Sequence, residues 1–118
     1  MTEKIADLLY AEIGKRIKER REERQVTQEA LSASIDISRA SISNIELGRQ
    51  QTPISVLYAI AEHLGGEIMD LLPSMSELLI IASREVDGLE SLLNSRNDFG
   101  DDTKQKISEI IRRPTNEI

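Results

Sequence analysis

Cysteine is absent from the 118-residue sequence, and histidine occurs once. Disulfides and thiolate metal sites are therefore excluded, and imidazole chemistry has a single side chain available. Aromatic residues make up 3% of the chain, which is too few for the stacking platforms that hold single-stranded nucleic acid. No glycine-rich phosphate loop, nucleophile beside a base or set of residues at metal-ligand spacing occurs. We therefore expect no catalytic residues, no cofactor, no metal and no enzymatic activity.

Long hydrophobic runs are also absent, and none approaches the roughly 18 residues that span a bilayer. The first residues, MTEKIADLLYAEIGKR, carry charges where a secretory signal needs an apolar centre. We therefore expect a cytoplasmic protein with no membrane partner. The formal net charge of −6 disfavours indiscriminate binding to nucleic acid, but it does not decide what one face of the protein binds.

Apolar residues recur every three or four positions, which predicts an all-α protein. The first helix is expected from residue 3 to about residue 24, with Thr2 at its start. Thr27 and Ser38 are expected to cap a second and a third helix, because their hydroxyls can accept hydrogen bonds from free backbone N–H groups. The predicted inward-facing residues of these three helices are Ile5, Leu9, Ile13 and Ile17; Ala30, Leu31 and Ser34; and Ile42 and Ile45.

Two further helices are predicted before Pro73. Pro53 suits the first turn of a fourth helix, where its missing N–H is not needed, and Gly65 and Gly66 are expected to end that helix. Its predicted inward-facing residues are Ile54, Leu57, Ile60, Ala61 and Leu64. A short fifth helix is expected over EIMDLL, residues 67–72.

Residues 27–48, TQEALSASIDISRASISNIELG, contain two short helical patterns separated by a tight turn. Two helices that cross steeply through such a turn need a small residue where they touch and a turn residue that tolerates positive φ. Ser32 and Asp36 meet these needs, because serine is small and aspartate enters the left-handed region at modest cost. Apolar residues for the shared core stand at Leu31, Ile35, Ile37, Ile42 and Ile45. The segment is therefore predicted to be a helix-turn-helix.

The sequence from about residue 13 to residue 72 resembles the Xre/Cro-type helix-turn-helix regulators of bacteria and phages. TQ at 27, the pattern IS.IE.G from 42 and the proline that opens the next helix all fall at the family spacing. Asp36 stands where the family usually has glycine, and Ser32 where it has alanine. The resemblance implies a five-helix, lambda-repressor-like domain over residues 1–73 that binds double-stranded DNA.

The resemblance also implies roles for individual side chains. The third helix would lie in the major groove, with base contacts from Arg39, Ala40, Ser43 and Asn44. Phosphate contacts would come from Thr27, Gln28, Ser38, Ser41, Arg49, Gln51 and Thr52. Arg21 and Glu46 match a pair that joins the first helix to the third in several relatives. Outside such a motif, Arg39 and Asn44 would be interpreted as solvated surface residues.

Residues 74–118 lie beyond the resemblance and are predicted to form a helical tail. Ser76 is expected to cap a helix that Gly88 can interrupt, and its apolar stripe runs through Leu79, Ala82, Val86, Leu89 and Leu93. A last helix is predicted after Asp101, Asp102 and Thr103, with Ile107, Ile110 and Ile111 on one face. Because short helices are not stable alone, the tail must pack on something. It either folds back on its own domain or, as we favour, joins two chains in a dimer.

The sequence therefore predicts a sequence-specific, double-stranded-DNA-binding transcriptional regulator, a repressor that binds a palindromic operator as a homodimer. One alternative is that the tail binds a second protein, as in antitoxins and antagonist-controlled regulators. Another is a helical interaction adaptor that no longer binds DNA, which the acidic net charge favours. The joint presence of Arg39, Gln28 and Arg49 favours DNA binding, because an adaptor has no need of all three.

Overall fold

A computed structural model describes residues 2–96 of the chain, and the side chains of residues 2–85. Within that range it contains six α-helices and no strand, which confirms the all-α prediction. The helices are α1 (Glu3–Glu23), α2 (Gln28–Ile35), α3 (Arg39–Glu46), α4 (Ile54–His63), α5 (Ile68–Leu71) and α6 (Met75–Arg96). The last predicted helix, after Asp101, lies outside the described residues.

The chain forms two compact units that meet between Ser74 and Met75, so that α1 to α5 belong to the first unit and α6 to the second. In the first unit, α1 packs on α3 and α5, and α2 packs on α3 and α4. Two arginines of α1 bind α5 and the residue that follows it. Arg20 Nη2 lies 3.0 Å from Asp70 Oδ2, and Arg16 Nη1 donates to the Leu72 carbonyl at 3.0 Å. No helix in residues 2–96 is both long and apolar enough to cross a membrane.

Hydroxyl caps fix the starts of the first three helices. The Thr2 Oγ1 atom accepts from Ile5 N at 3.2 Å, and the Thr27 Oγ1 atom accepts from Ala30 N at 3.0 Å. The Ser38 Oγ atom accepts from Ser41 N at 3.0 Å. These bonds confirm the three predicted helix starts, because each satisfies a backbone donor that has no partner inside its helix.

One hydrophobic core fills the space between α1 and α5. Its buried members are Ile13, Ile17, Leu31, Ile42, Ile45, Leu57, Ile60, Ala61, Leu64, Ile68 and Leu71. Side chains from all five helices contribute, so the core fixes the angle at which each helix is held. Truncating one of its buried leucines or isoleucines to alanine costs about 2–5 kcal/mol of stability.

Five details of the predicted helices are wrong. The inner face of α2, which packs on α3 and α4, is Leu31 and Ser32, whereas Ala30 and Ser34 are exposed. Ile54 is 65% exposed, and the buried core residues of α4 begin at Leu57. Pro53 directly precedes that turn instead of lying in it.

The fourth detail concerns α6, which begins at Met75 and therefore includes Ser76 inside the helix instead of as its cap. The fifth is that the same helix continues through Gly88 to Arg96 without a break. A glycine in a helix interior costs only about 1 kcal/mol relative to alanine, which is insufficient by itself to interrupt a long helix.

Candidate functional site

A close approach of two backbones holds α3 against α1. A Cβ atom on Gly14 would collide with the Ile45 carbonyl oxygen and would lie 2.7 Å from the Glu46 carbonyl oxygen. Only a residue without a side chain fits there, although glycine lowers the stability of a helix interior. Gly14 therefore sets the depth at which the last turn of α3 rests on α1.

The turn between α2 and α3 is short because Asp36 adopts the left-handed conformation, with φ 56° and ψ 46°. The next residue, Ile37, donates its N–H to the Ser32 carbonyl at 3.1 Å, which closes the end of α2. Ser32 is buried where the two helices meet, and its hydroxyl donates to the Glu29 carbonyl at 2.8 Å. The hydroxyl of this small side chain is therefore already hydrogen-bonded where it is buried between the two helices.

The two sides of α3 differ in chemistry. Ile42 and Ile45 are buried in the core. On the other side, Arg39 and Ala40 are exposed and Ser43 and Asn44 are half-buried. The four predicted base-reading residues, Arg39, Ala40, Ser43 and Asn44, therefore all remain at least partly accessible while the isoleucines anchor the helix.

A buried carboxylate joins three helices beneath this surface. The Glu46 side chain, 2% exposed, accepts hydrogen bonds from Arg21 Nε at 2.7 Å and Arg21 Nη2 at 3.0 Å. Gln28 Nε2 donates to the same carboxylate at 3.0 Å. Arg21 Nη1 also donates to the Val26 carbonyl at 2.9 Å. Since these residues belong to α1, α2, α3 and the turn after α1, the network fixes the position of α3 relative to both neighbouring helices.

The charges in this network are mutually satisfied. The hydrogen bond to Glu46 raises the pKa of Arg21 above its ordinary value, although burial acts in the opposite direction. The guanidinium binds the carboxylate through two parallel bonds, which is the strongest geometry available to such a pair. Arg21 and Glu46 thus lie in direct contact, and Arg21 is largely committed to holding the fold.

The residues assigned to phosphate contacts fall into different environments. Thr27, Ser38, Arg49 and Gln51 are exposed, and Gln28 and Ser41 are half-buried. The Ser38 hydroxyl donates to Ser41 Oγ at 3.1 Å, so the Ser41 hydroxyl keeps its own hydrogen for another acceptor. Thr52 is 6% exposed. A side chain this deeply buried offers little surface to a phosphate, so the accessible candidates for phosphate contact are the other six residues.

An open depression of about 450 Å³ lies between the starts of α2 and α3. Its lining residues are Arg21, Thr27, Gln28, Glu29 and Arg39. The first backbone N–H groups of α2 carry a partial positive charge, which suits an anion such as a phosphate. The depression therefore joins the surface that carries Arg39 to the groups assigned to phosphate.

Sequence reasoning missed several residues that shape the site. The close contact at Gly14, the acceptor role of the Val26 carbonyl and the bond from Gln28 to Glu46 were not predicted. Glycine inside a strongly helical pattern, AEIGKR, was the available signal for the first of these. The other two depend on how three separate helices pack, and the sequence carries no local signal for them.

Comparisons with known proteins agree with this geometry. A family model described as a helix-turn-helix domain matches residues 14–72, which include the Glu46 network and all the helices from α2 to α5. No curated protein matches the chain at a significant level.

Solved structures share the fold. The restriction-modification controller protein C.AhdI from Aeromonas hydrophila is 25% identical with a TM-score of 0.52, over 57% of this chain and 98% of that one. The clp gene regulator ClgR from Corynebacterium glutamicum is 22% identical with a TM-score of 0.59, over 74% of this chain and 93% of that one.

An HTH_3 family transcriptional regulator from Vibrio cholerae is 23% identical with a TM-score of 0.53, over 56% of this chain and 37% of that one. These likenesses show the fold, and the family model, which matches half of the chain, shows the family. The chain belongs to the helix-turn-helix family and is of the Xre/Cro type.

Proposed function

We propose that this protein is a sequence-specific regulator of transcription that represses genes by binding a palindromic DNA operator as a homodimer. The observation that carries the proposal is the two-sided character of α3. Ile42 and Ile45 fix one side in the core, while Arg39, Ala40, Ser43 and Asn44 are accessible on the other. A helix held this way can enter a major groove without disturbing the fold.

The accessible side chains have the chemistry needed to distinguish base pairs. The guanidinium of Arg39 can donate two hydrogen bonds to guanine O6 and N7, and the amide of Asn44 can pair with adenine N6 and N7. The methyl group of Ala40 can contact the methyl group of thymine. Three different types of contact on one helix favour sequence-specific binding over attachment to the backbone alone.

The groups around α3 suit the sugar-phosphate backbone. Thr27, Gln28, Ser38 and Ser41 cluster at the starts of α2 and α3, and Arg49 and Gln51 follow α3 in an exposed loop. Helix N-termini with hydroxyl and amide side chains bind phosphate well. These residues would set the orientation of α3 in the groove, whereas its exposed face would read the sequence.

We assign dimer formation to the segment after Ser74. The helix α6 has 22 residues, which makes it roughly 33 Å long at the usual rise per residue. Met75 and Ile80 on it are both substantially exposed, at 46% and 52%, so apolar surface is available to a second copy. A dimer benefits because, once one half-site is held, the second binds at a high effective concentration.

Repression follows from the simplest use of such a dimer. A protein that occupies about two turns of duplex blocks other proteins from the same DNA, and it needs no additional contact surface to do so. Activation would require a surface for a polymerase subunit. No feature of the described residues calls for that second surface.

Selection of bound fragments from a random pool of DNA duplexes tests the proposal. The expected result is an enriched palindrome whose half-sites lie about 34 Å apart, or one turn of the duplex. A chain in which Arg39, Ser43 and Asn44 are all replaced by alanine is the control and should enrich nothing. If the unaltered chain also enriches no sequence, the interaction adaptor becomes the better interpretation.

A further inference from the structure

The depression between the starts of α2 and α3 is lined by one acidic residue as well as by two arginines. Two arginines, Arg21 and Arg39, line it together with Glu29. Arg21 is bound through two hydrogen bonds to Glu46. The positive charge of Arg21 is therefore largely balanced by the Glu46 carboxylate, and Arg21 adds little attraction for an anion that arrives from solvent.

The remaining two charged groups have no such balance. Among the side chains described for residues 2–85, neither Arg39 nor Glu29 forms an ion pair. Both are exposed, and exposed side chains change rotamer within nanoseconds. Arg39 can therefore turn toward Glu29 inside the depression or away from it, toward a ligand over α3.

We infer that Glu29 is a specificity-determining residue that acts by discouraging Arg39 from binding phosphate. The inference rests on the proposed function, because it concerns how the same DNA-binding surface separates the preferred sequence from others. Glu29 is a positioning residue in this scheme. It contacts no base, and it acts on Arg39 by giving the guanidinium an alternative partner to phosphate.

Electrostatics gives the reason. Any duplex offers phosphates, so an unrestrained Arg39 would bind one on every sequence and would add affinity without discrimination. A carboxylate beside the same depression offers Arg39 a competing partner of opposite charge. On the preferred sequence, Arg39 leaves the depression for a guanine edge, and its two bonds to that base replace the interaction with Glu29.

The charge of the whole domain favours the same outcome. Residues 1–72 contain nine lysines and arginines and twelve aspartates and glutamates, so the domain as a whole does not attract DNA. Weak binding to arbitrary sequence is an advantage for a regulator, because non-specific sites far outnumber the operator. Glu29 applies this effect beside the depression, where Arg39 would otherwise bind a phosphate.

The substitution Glu29→Gln tests the inference because it removes the charge and keeps the shape. Binding of the full chain is measured on the selected operator and on a scrambled duplex of the same length. We expect affinity for the scrambled duplex to rise about fivefold, the upper range for one exposed charge pair, while affinity for the operator rises less. The ratio of the two affinities should therefore fall.

Two controls separate this effect from a general change in charge or folding. Glu62→Gln makes the same charge change on α4, outside the depression, and should leave the ratio unchanged. Glu29→Asp keeps the carboxylate and should retain most of the discrimination. Helix content by circular dichroism should be equal in all variants, since the cap of α2 is supplied by Thr27.

Salt dependence provides a readout that a merely structural role would not change. If Arg39 gains a phosphate in Glu29→Gln, the slope of log affinity against log salt on the scrambled duplex should steepen by about 0.9, the value for one phosphate contact. The slope on the operator should stay the same, because Arg39 is committed to a base there.

Equal gains on both duplexes, or no gain on either, would overturn the role of Glu29 while leaving the proposed function intact. A different failure is recognised in the unaltered chain. If that chain shows no preference for any sequence, the proposed function is wrong, and the inference about Glu29 is wrong with it.

Discussion

Residues 2–74 and the helix α6 obtain their stability in different ways. The first region encloses a core built from five helices and adds a buried polar network at Glu46. In contrast, α6 is a long single helix with exposed Met75 and Ile80. A region with its own core fixes the positions of its side chains. The apolar face of an amphipathic helix is ordered instead by the surface on which it packs. This difference is consistent with our proposal that the first region recognises DNA and the second joins two chains.

The strongest way to break the first region is to remove one member of the buried pair. Glu46→Ala leaves Arg21 charged without its carboxylate and should lower the free energy of unfolding by about 3–5 kcal/mol. Thermal or urea unfolding of Glu46→Ala, Arg21→Ala and the double variant measures this. The double variant should lose less than the sum of the two single losses, because the second substitution removes the charge that the first left unpaired.

The sign of the pH effect on this pair is fixed by Arg21. Because the pKa of Arg21 is raised in the folded chain, its contribution to stability is complete below the ordinary arginine range and is lost only in strong alkali. The difference in unfolding free energy between the unaltered chain and Glu46→Ala should therefore stay constant from neutral to mildly alkaline pH.

For the double variant, additive losses of stability would mean that the Arg21–Glu46 pair contributes no coupling energy.

Removing α6 and the residues after it tests the second region. A chain that ends at Ser74 should remain folded, since its core lies within residues 13–71. It should sediment as a monomer and lose about 100-fold in affinity for a full operator, because the effective concentration of the second half-site disappears. Sedimentation and titration on one-site and two-site duplexes provide the measurement.

The opposite result would move assembly into the first region. A truncated chain that stays dimeric, with unchanged operator affinity, would place the contact among exposed apolar residues such as Ile54, Tyr58 and Met69. The tail would then be free to bind a second protein. A monomeric chain that keeps full affinity would contradict the homodimer altogether.

Replacing one glycine in each region compares a helix that packs closely on another helix with the long helix α6. Gly14→Ala places a methyl group against the carbonyl groups of α3 and should cost about 1–3 kcal/mol, despite the better helix propensity of alanine. Gly88→Ala in α6 should instead raise stability by about 0.5–1 kcal/mol, because alanine favours the helix. Unfolding midpoints of the two variants give the answer. Stabilisation by Gly14→Ala would show that α1 and α3 do not approach as closely as described.

The sequence contained enough information to predict the helix starts and the tight turn. Hydroxyl caps and the left-handed Asp36 are local features, and each depends on a few neighbouring residues. Exposure of Ile54 and burial of Thr52 could not be predicted the same way. Both depend on where α4 and the loop before it rest against the other helices, and residues far apart in the sequence determine that position.

In the candidate site, too, some features could be predicted from the sequence and others depend on how distant residues pack. The resemblance implies base contacts from Arg39, Ala40, Ser43 and Asn44, and all four residues are at least partly accessible. The third donor to Glu46, from Gln28, was not foreseen. One Nε2 hydrogen of Gln28 is bound to Glu46, so the amide keeps its second hydrogen for any phosphate that it contacts.

The central claim is that Arg39 reads a base, and affinity on a set of single-base operator variants tests it most directly. Arg49→Ala is the matched control, since Arg49 is also an exposed arginine but is assigned to phosphate. Arg39→Ala should lose about 1–3 kcal/mol on the preferred operator and relax the preference at one base position. Arg49→Ala should weaken every variant by the same factor. If Arg39→Ala also weakens every variant equally, Arg39 binds phosphate and the recognition surface proposed for α3 is wrong.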